Sequence, residues 1–280
     1  MENNEMSVGD ALKKFNANKM SGNTDYITAM NRETDPDLIT SYEAIKLPSK
    51  GFFYPDGLSE VNIEYMTSKD EDLLTTSSLI ENGTVLELLL KRKVKTPNVN
   101  TNNLLQGDRD ALILFLRTSS YGPDYTVMIT DPRNGVPFKT TINLLTLKYK
   151  EGLEEPDQDG LFKAFIPMRK KEVKFRLLTY AEDSTINKKA DALKDAYGEE
   201  FSSYNTMRLK ASIVSIGGNI NREYIDKFVD AMPALDPYTV RKKILEVSPG
   251  LDLNYEFLAN DGYTFKANLT LGMDFFFPST

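Results

Sequence analysis

The run LFKAFIPMRKKEVKFRLLTY, residues Leu161 to Tyr180, decides how the chain is read. Phe162, Ala164 and Ile166 fall on alternate positions, and so do Val173, Phe175 and Leu177, which is the period of strands with one buried face. Pro167 has no N–H to give a ladder, so the first strand ends there or lies at an edge. From this pair of strands to about residue 248 the period is helical. REYIDKFVDAM gathers Tyr224, Ile225, Phe228, Val229 and Met232 on one face, and ALDPYTVRKKILEV starts with Asp236 as N-cap and Pro237 at the first helical position. The tail NYEFLANDGYTF reads as a β-hairpin turning at Asn260, Asp261 and Gly262, followed by a further apolar stretch.

Upstream, the elements alternate too irregularly for a doubly wound parallel sheet. VNIEYMT (Val61 to Thr67) is a strand, and SKDEDLLTTSSLIENG opens a helix with Ser68 as N-cap and Asp70, Glu71 and Asp72 in its first turn, where the macrodipole favours acids. TVLELLLKRKV is a helix ending on Lys91, Arg92 and Lys93. In LLQGDRDALILFLRTSSYG, Asp108 is expected to cap a helix that carries Leu112, Phe115 and Leu116 inward. YGPDYTVMITDP is then a turn and a strand, and RNG (Arg133 to Gly135) a turn.

The expected fold is therefore α+β, with small mixed sheets, packed helices, an irregular N-terminal arm and a C-terminal β-hairpin. The arm is residues 1–44, polar and poor in apolar positions, although SVGDALKKF could form a helical turn capped by Ser7 or Asp10 with Leu12 and Phe15 on one side. A mixed region at 45–150 follows, and a strand–helix–strand region at 151–280 begins at the polar loop EGLEEPDQDG.

Composition narrows the function. With no cysteine and no histidine the chain lacks disulfides, thiolate metal sites, thiol nucleophiles and imidazole bases, so the expectation is a protein that is not an enzyme and carries neither cofactor nor metal. A net charge of −7 speaks against bulk nucleic-acid binding, which requires cations to neutralise phosphates. No apolar run spans a bilayer, and MENNEMSVGDALKK has no basic leader before an apolar stretch, so the expectation is no membrane and synthesis in a cytoplasm.

The short motifs reduce to plain readings. The D-x-D-G fragment Asp157, Asp159, Gly160 meets Ile166 where a calcium loop needs a bidentate acid, so it is a solvated turn. SIGGN (Ser215 to Asn219) lacks a preceding strand and a following lysine, and reads as a helix C-cap. Lys170, Lys174 and Arg176 share a strand face, where cations guard against edge pairing. The competing catalytic reading is a carboxylate-dependent metal hydrolase built on Asp70, Asp72 or Asp131.

Two aromatic clusters remain. In LPSKGFFYP (Leu47 to Pro55) and DFFFP (Asp274 to Pro278), consecutive rings on an extended chain alternate faces, so Phe52, Phe53, Tyr54, Phe275, Phe276 and Phe277 are the candidate protein-interaction residues. These stretches, with IEYMT, DEDLL, LLQGDRDALILFLRTSSYG and FRLLT between them, resemble the baseplate hub and hub assembly proteins of T-even-type contractile-tailed bacteriophages, in order from about residue 47 to 278. The resemblance implies a non-enzymatic virion component or assembly factor that binds other hub or tail subunits in the host cytoplasm and helps to build the baseplate hub, whether it then leaves or stays in the tail. Members of that family often carry paired cysteines in the segments matching ITDPRNGVPF and EFLANDGYTF; this chain has none, which removes that metal site.

Overall fold

The computed structural model describes residues 41–54, 57–198, 203–259, 261–269 and 273–276. Most of the expected arm, including Ser7, Asp10, Leu12 and Phe15, lies outside the described residues, as do Pro55, Asn260, Phe277 and Pro278. Of the arm's last residues, Tyr42 to Ala44 belong to the first strand.

The fold is α+β, and among the described residues its β structure is divided into four small antiparallel sheets. Strands β1 (Tyr42–Lys46) and β2 (Glu60–Glu64) form the first. Helices α1 (Ser68–Leu74), α2 (Ser77–Glu81), α3 (Val85–Lys93) and α4 (Gln106–Tyr121) follow. The single helix expected from Ser68 is thus two short ones, parted at Thr75 and Thr76, where the Thr75 hydroxyl donates back to the Glu71 carbonyl and that of Thr76 to the Asp72 carbonyl. The N-cap is Thr67, one residue earlier than expected, and its N–H and hydroxyl both donate to the Asp70 carboxylate at 2.9 Å.

Strands β3 (Asp124–Thr130) and β4 (Pro137–Asn143) make the second sheet. The decisive run forms β5 (Phe162–Ile166) and β6 (Lys171–Phe175), with Phe162, Ala164, Ile166, Val173 and Phe175 all buried and β5 at the sheet edge with Pro167 just beyond it. After α5 (Tyr180–Tyr197) and α6 (Tyr204–Ser212) comes β7 (Ile213–Ile216), which pairs with β6. That strand overturns the helical reading of the region. SIGGN is its end and a tight turn, with Asn219 N–H donating to the Ile216 carbonyl at 3.1 Å, rather than a helix C-cap.

Helices α7 (Arg222–Asp230) and α8 (Leu235–Val247) cover this sheet, and β8 (Asn254–Leu258) with β9 (Thr264–Asn268) form the expected hairpin. The apolar side chains gather in two clusters. One joins β2, α3, α4, the C-terminal hairpin and Phe275 and Phe276; the other lies between the β5–β6–β7 sheet and α6, α7 and α8. Leu104 belongs to the first and Leu105 to the second, so the start of α4 is where the two clusters meet. No helix among the described residues is long and apolar enough to cross a membrane.

Candidate interaction surface

The loop Leu47 to Tyr54 joins β1 to β2 and is tied down at several points. Lys50 and Gly51 both have positive φ, 55° and 83°, and a Cβ on Gly51 would fall 2.4 Å from the Gly57 carbonyl oxygen, so the turn requires glycine there. Its three aromatics then take three different environments. Phe53 packs on the second cluster, its ring 6.0 Å from that of Phe162. Tyr54 touches both clusters, donates its hydroxyl to the Asp108 carboxylate, and accepts from the Leu105 N–H at 2.7 Å. Phe52 is left 47% exposed.

Asp108 holds this loop to α4. Its carboxylate is fully buried and also accepts the Ser49 N–H at 2.9 Å. Burial raises its pKa, and the bonds from Tyr54 and Ser49 offset that only in part; burial and the neighbouring Asp108 charge likewise push the Tyr54 hydroxyl up. The expected cap role is corrected: Leu105 occupies the N-cap position of α4, and Asp108 instead satisfies the backbone of a segment 59 residues away. Asp236 behaves alike. It lies inside α8 rather than at its N-cap, and accepts the N–H groups of Met168 and Arg169 at 2.8 and 3.1 Å, closing the β5–β6 turn.

At the other end of the chain, Met273–Phe276 is a 3₁₀ turn, not a strand. In that conformation adjacent rings need not point to opposite faces, and Phe275 and Phe276 are both fully buried, edge to face with centroids 5.9 Å apart. Phe275 also meets Tyr125 at 5.2 Å. These two rings are core, so in this fold they offer no surface to a neighbour. Replacing Phe275 and Phe276 by serine is expected to lower stability, and Phe277 lies outside the described residues.

Three buried cations escaped the sequence reading. Arg117 of α4 is 1% exposed and donates to the carbonyls of Phe275, Gly122 and Asp124 at 2.7, 2.8 and 3.1 Å. Arg109, on the same helix, donates to the Thr101 carbonyl at 2.8 Å and lies 3.6 Å from the centre of the Tyr180 ring. Lys93 stands in the cationic last turn of α3 as expected, but it is buried and bonds Asp70 at 2.8 Å and Glu64 at 2.9 Å. The signal available in the sequence was a pair of arginines flanking the apolar run ALILFL of a single helix.

The carboxylates of the hydrolase reading have separate engagements. Asp70 answers Lys93, Asp131 is held by Arg133 at 2.6 Å, and Asp72 is exposed. Among the described residues no group of three or more acids is placed to hold a metal. Arg133 also reaches Asp261 at 2.9 Å and covers the Tyr263 ring at 4.0 Å. An ion pair and a cation–π contact thus join the turn after β3 to the turn of the β8–β9 hairpin. The Asp157 loop is a turn in which one carboxylate oxygen accepts the Asp159 and Leu161 N–H groups. Of the basic positions, Lys170 sits in the β5–β6 turn with a φ of 50°, Lys174 faces Asp157 at 3.6 Å, and Arg176 pairs with Glu182 at 2.6 Å. They form no common cationic face.

What the geometry defines is an α+β chain whose polar interior ties the Leu47 to Tyr54 loop and the Met273–Phe276 turn to α4, with aromatic and apolar side chains left at the surface. A profile of the family described as T4 bacteriophage base plate protein matches residues 39–276, and the chain belongs to that family. Searches of curated proteins and of solved structures returned no match.

Proposed function

We propose that this protein works without catalysis, taking part in assembly of the baseplate hub in the host cytoplasm through contacts with other hub or tail proteins. Membership of a phage baseplate family is the observation that carries the reading. Phe52 supports it as a contact residue: a large ring held 47% exposed on a loop that is anchored on both sides by hydrogen bonds to Asp108 and Leu105 costs little entropy to dock.

The test is co-expression with the tail and hub proteins of the same phage, followed by affinity purification of this chain. Replacing Phe52 by serine is expected to lower partner recovery about tenfold, the loss of roughly 1.4 kcal/mol at one aromatic contact, with the melting temperature unchanged. Full recovery of every partner by the folded variant would remove this loop from the interface.

A further inference from the structure

The second apolar surface lies on α8. Its inner face carries Val240 and Val247 into the core, yet Leu235, Tyr238 and Leu245 recur on the opposite side at helical spacing and are 49%, 55% and 67% exposed. A helix apolar on two sides has one side without a partner in the isolated chain. Tyr238 and Leu245 form a lip of a groove of about 600 Å³ that runs between α6, α8, the start of α4 and residues 248–253. One wall is rigid: a Cβ on Gly107 would fall 2.0 Å from the Pro249 carbonyl oxygen, so α4 and this segment are in backbone contact.

The charges around the groove oppose those of the whole molecule. Lys150, Arg208, Arg241 and Lys242 line it, against Asp110 as the acid, in a chain whose net charge is −7. Asp183 answers Arg208 at 2.5 Å, and Lys242 is only loosely matched by Glu246 at 3.9 Å. Arg241 makes no hydrogen bond or ion pair among the described residues. From Leu235 to Leu245 the outer stripe runs about 15 Å, the length of roughly ten helical residues.

We propose that this groove and the outer face of α8 dock an acidic amphipathic helix, about three turns long, from a protein partner. Its apolar face would fill the groove between Tyr238, Leu245 and Leu209, and its carboxylates would meet Arg241, Lys242 and Lys150. The complementary charge steers the encounter and sets polarity, while the apolar face supplies affinity. This surface shares no residue with the loop that exposes Phe52, and it stands independently of the hub reading.

The test uses the full chain and two labelled synthetic helical peptides with the same leucine pattern, one with glutamate and one with lysine at the remaining positions. By fluorescence anisotropy the glutamate peptide is expected to bind, the lysine peptide not to bind, and the Arg241→Glu/Lys242→Glu variant to lose at least about tenfold in affinity at an unchanged melting temperature. Equal binding of the two peptides, no binding of either, or wild-type affinity in the charge-reversed variant would overturn the proposal. So would self-association in sedimentation that Leu245→Asp abolishes, since the face would then belong to a second copy of the chain.

Discussion

Lys93→Met is expected to cost about 3–5 kcal/mol of folding stability, because it strips the ammonium from a carboxylate that has no access to water. Asp70 is 0% exposed, and Lys93 donates to it at 2.8 Å while also meeting Glu64 at 2.9 Å. Arg92 at 3.3 Å recovers part of the loss, which sets the expectation at the lower end of that range. The comparison that isolates the mechanism is Asp70→Asn/Lys93→Met, in which the uncompensated charge is gone; urea unfolding should return at least half of the lost stability. A single variant within about 1 kcal/mol of the parent would show that Asp70 is not held by Lys93.

The same pair sets an acid limit. Burial by itself raises the Asp70 carboxyl, but the bonds from Lys93 and Thr67 outweigh it and hold the group below the usual carboxylate range. A carboxyl depressed on folding stabilises the native state at any pH above its unfolded value, and that contribution drains away as pH falls through the folded value. The melting temperature should therefore drop as the pH goes below about 4, and Lys93→Met should flatten that limb.

Arg117→Met is expected to cost a comparable 3–5 kcal/mol, roughly, for a different reason. The guanidinium is balanced not by an acid but by three carbonyls, those of Phe275, Gly122 and Asp124, and it holds the C-terminal turn, the end of α4 and the start of β3 in one place. Methionine fills the space and leaves those acceptors without a donor. Arg117→Lys should also lose stability, since a single ammonium lacks the planar fork of donors that meets the three oxygens. Unfolding in urea measures the loss, and limited proteolysis localises it: cleavage near residues 273–276 should accelerate well before the rest of the chain opens. Retained stability with unaltered cleavage would contradict the anchoring role.

What was legible in the sequence is what depends on neighbours along the chain. The alternation through Phe162–Ile166 and Val173–Phe175 gave strands that the structure places there, and the face of α7 with Ile225 and Val229 inward follows from its period. Illegible were features whose partners are distant. Asp108 and Asp236 have the composition of helix caps, yet each satisfies backbone N–H groups 59 or more residues away, and nothing local records that choice. Lys93 looked like a dipole-stabilising end because Asp70 lies 23 residues earlier. The four residues of β7 follow a helix directly and take their identity from pairing with β6. For DFFFP the alternation argument presupposed an extended backbone; a 3₁₀ turn buries two adjacent rings together, and of the described aromatic candidates it is Phe52 that keeps a large exposed face.

This member of a phage baseplate family is expected to act by binding other tail proteins. The direct test is quantitative mass spectrometry of what co-purifies with the tagged chain when the phage's tail genes are expressed together. One or more baseplate hub or tail proteins should be recovered in fixed ratio to the chain, and depleted by Phe52→Ser. Recovery of the chain alone, with every tail protein at the level of an untagged control, would contradict it.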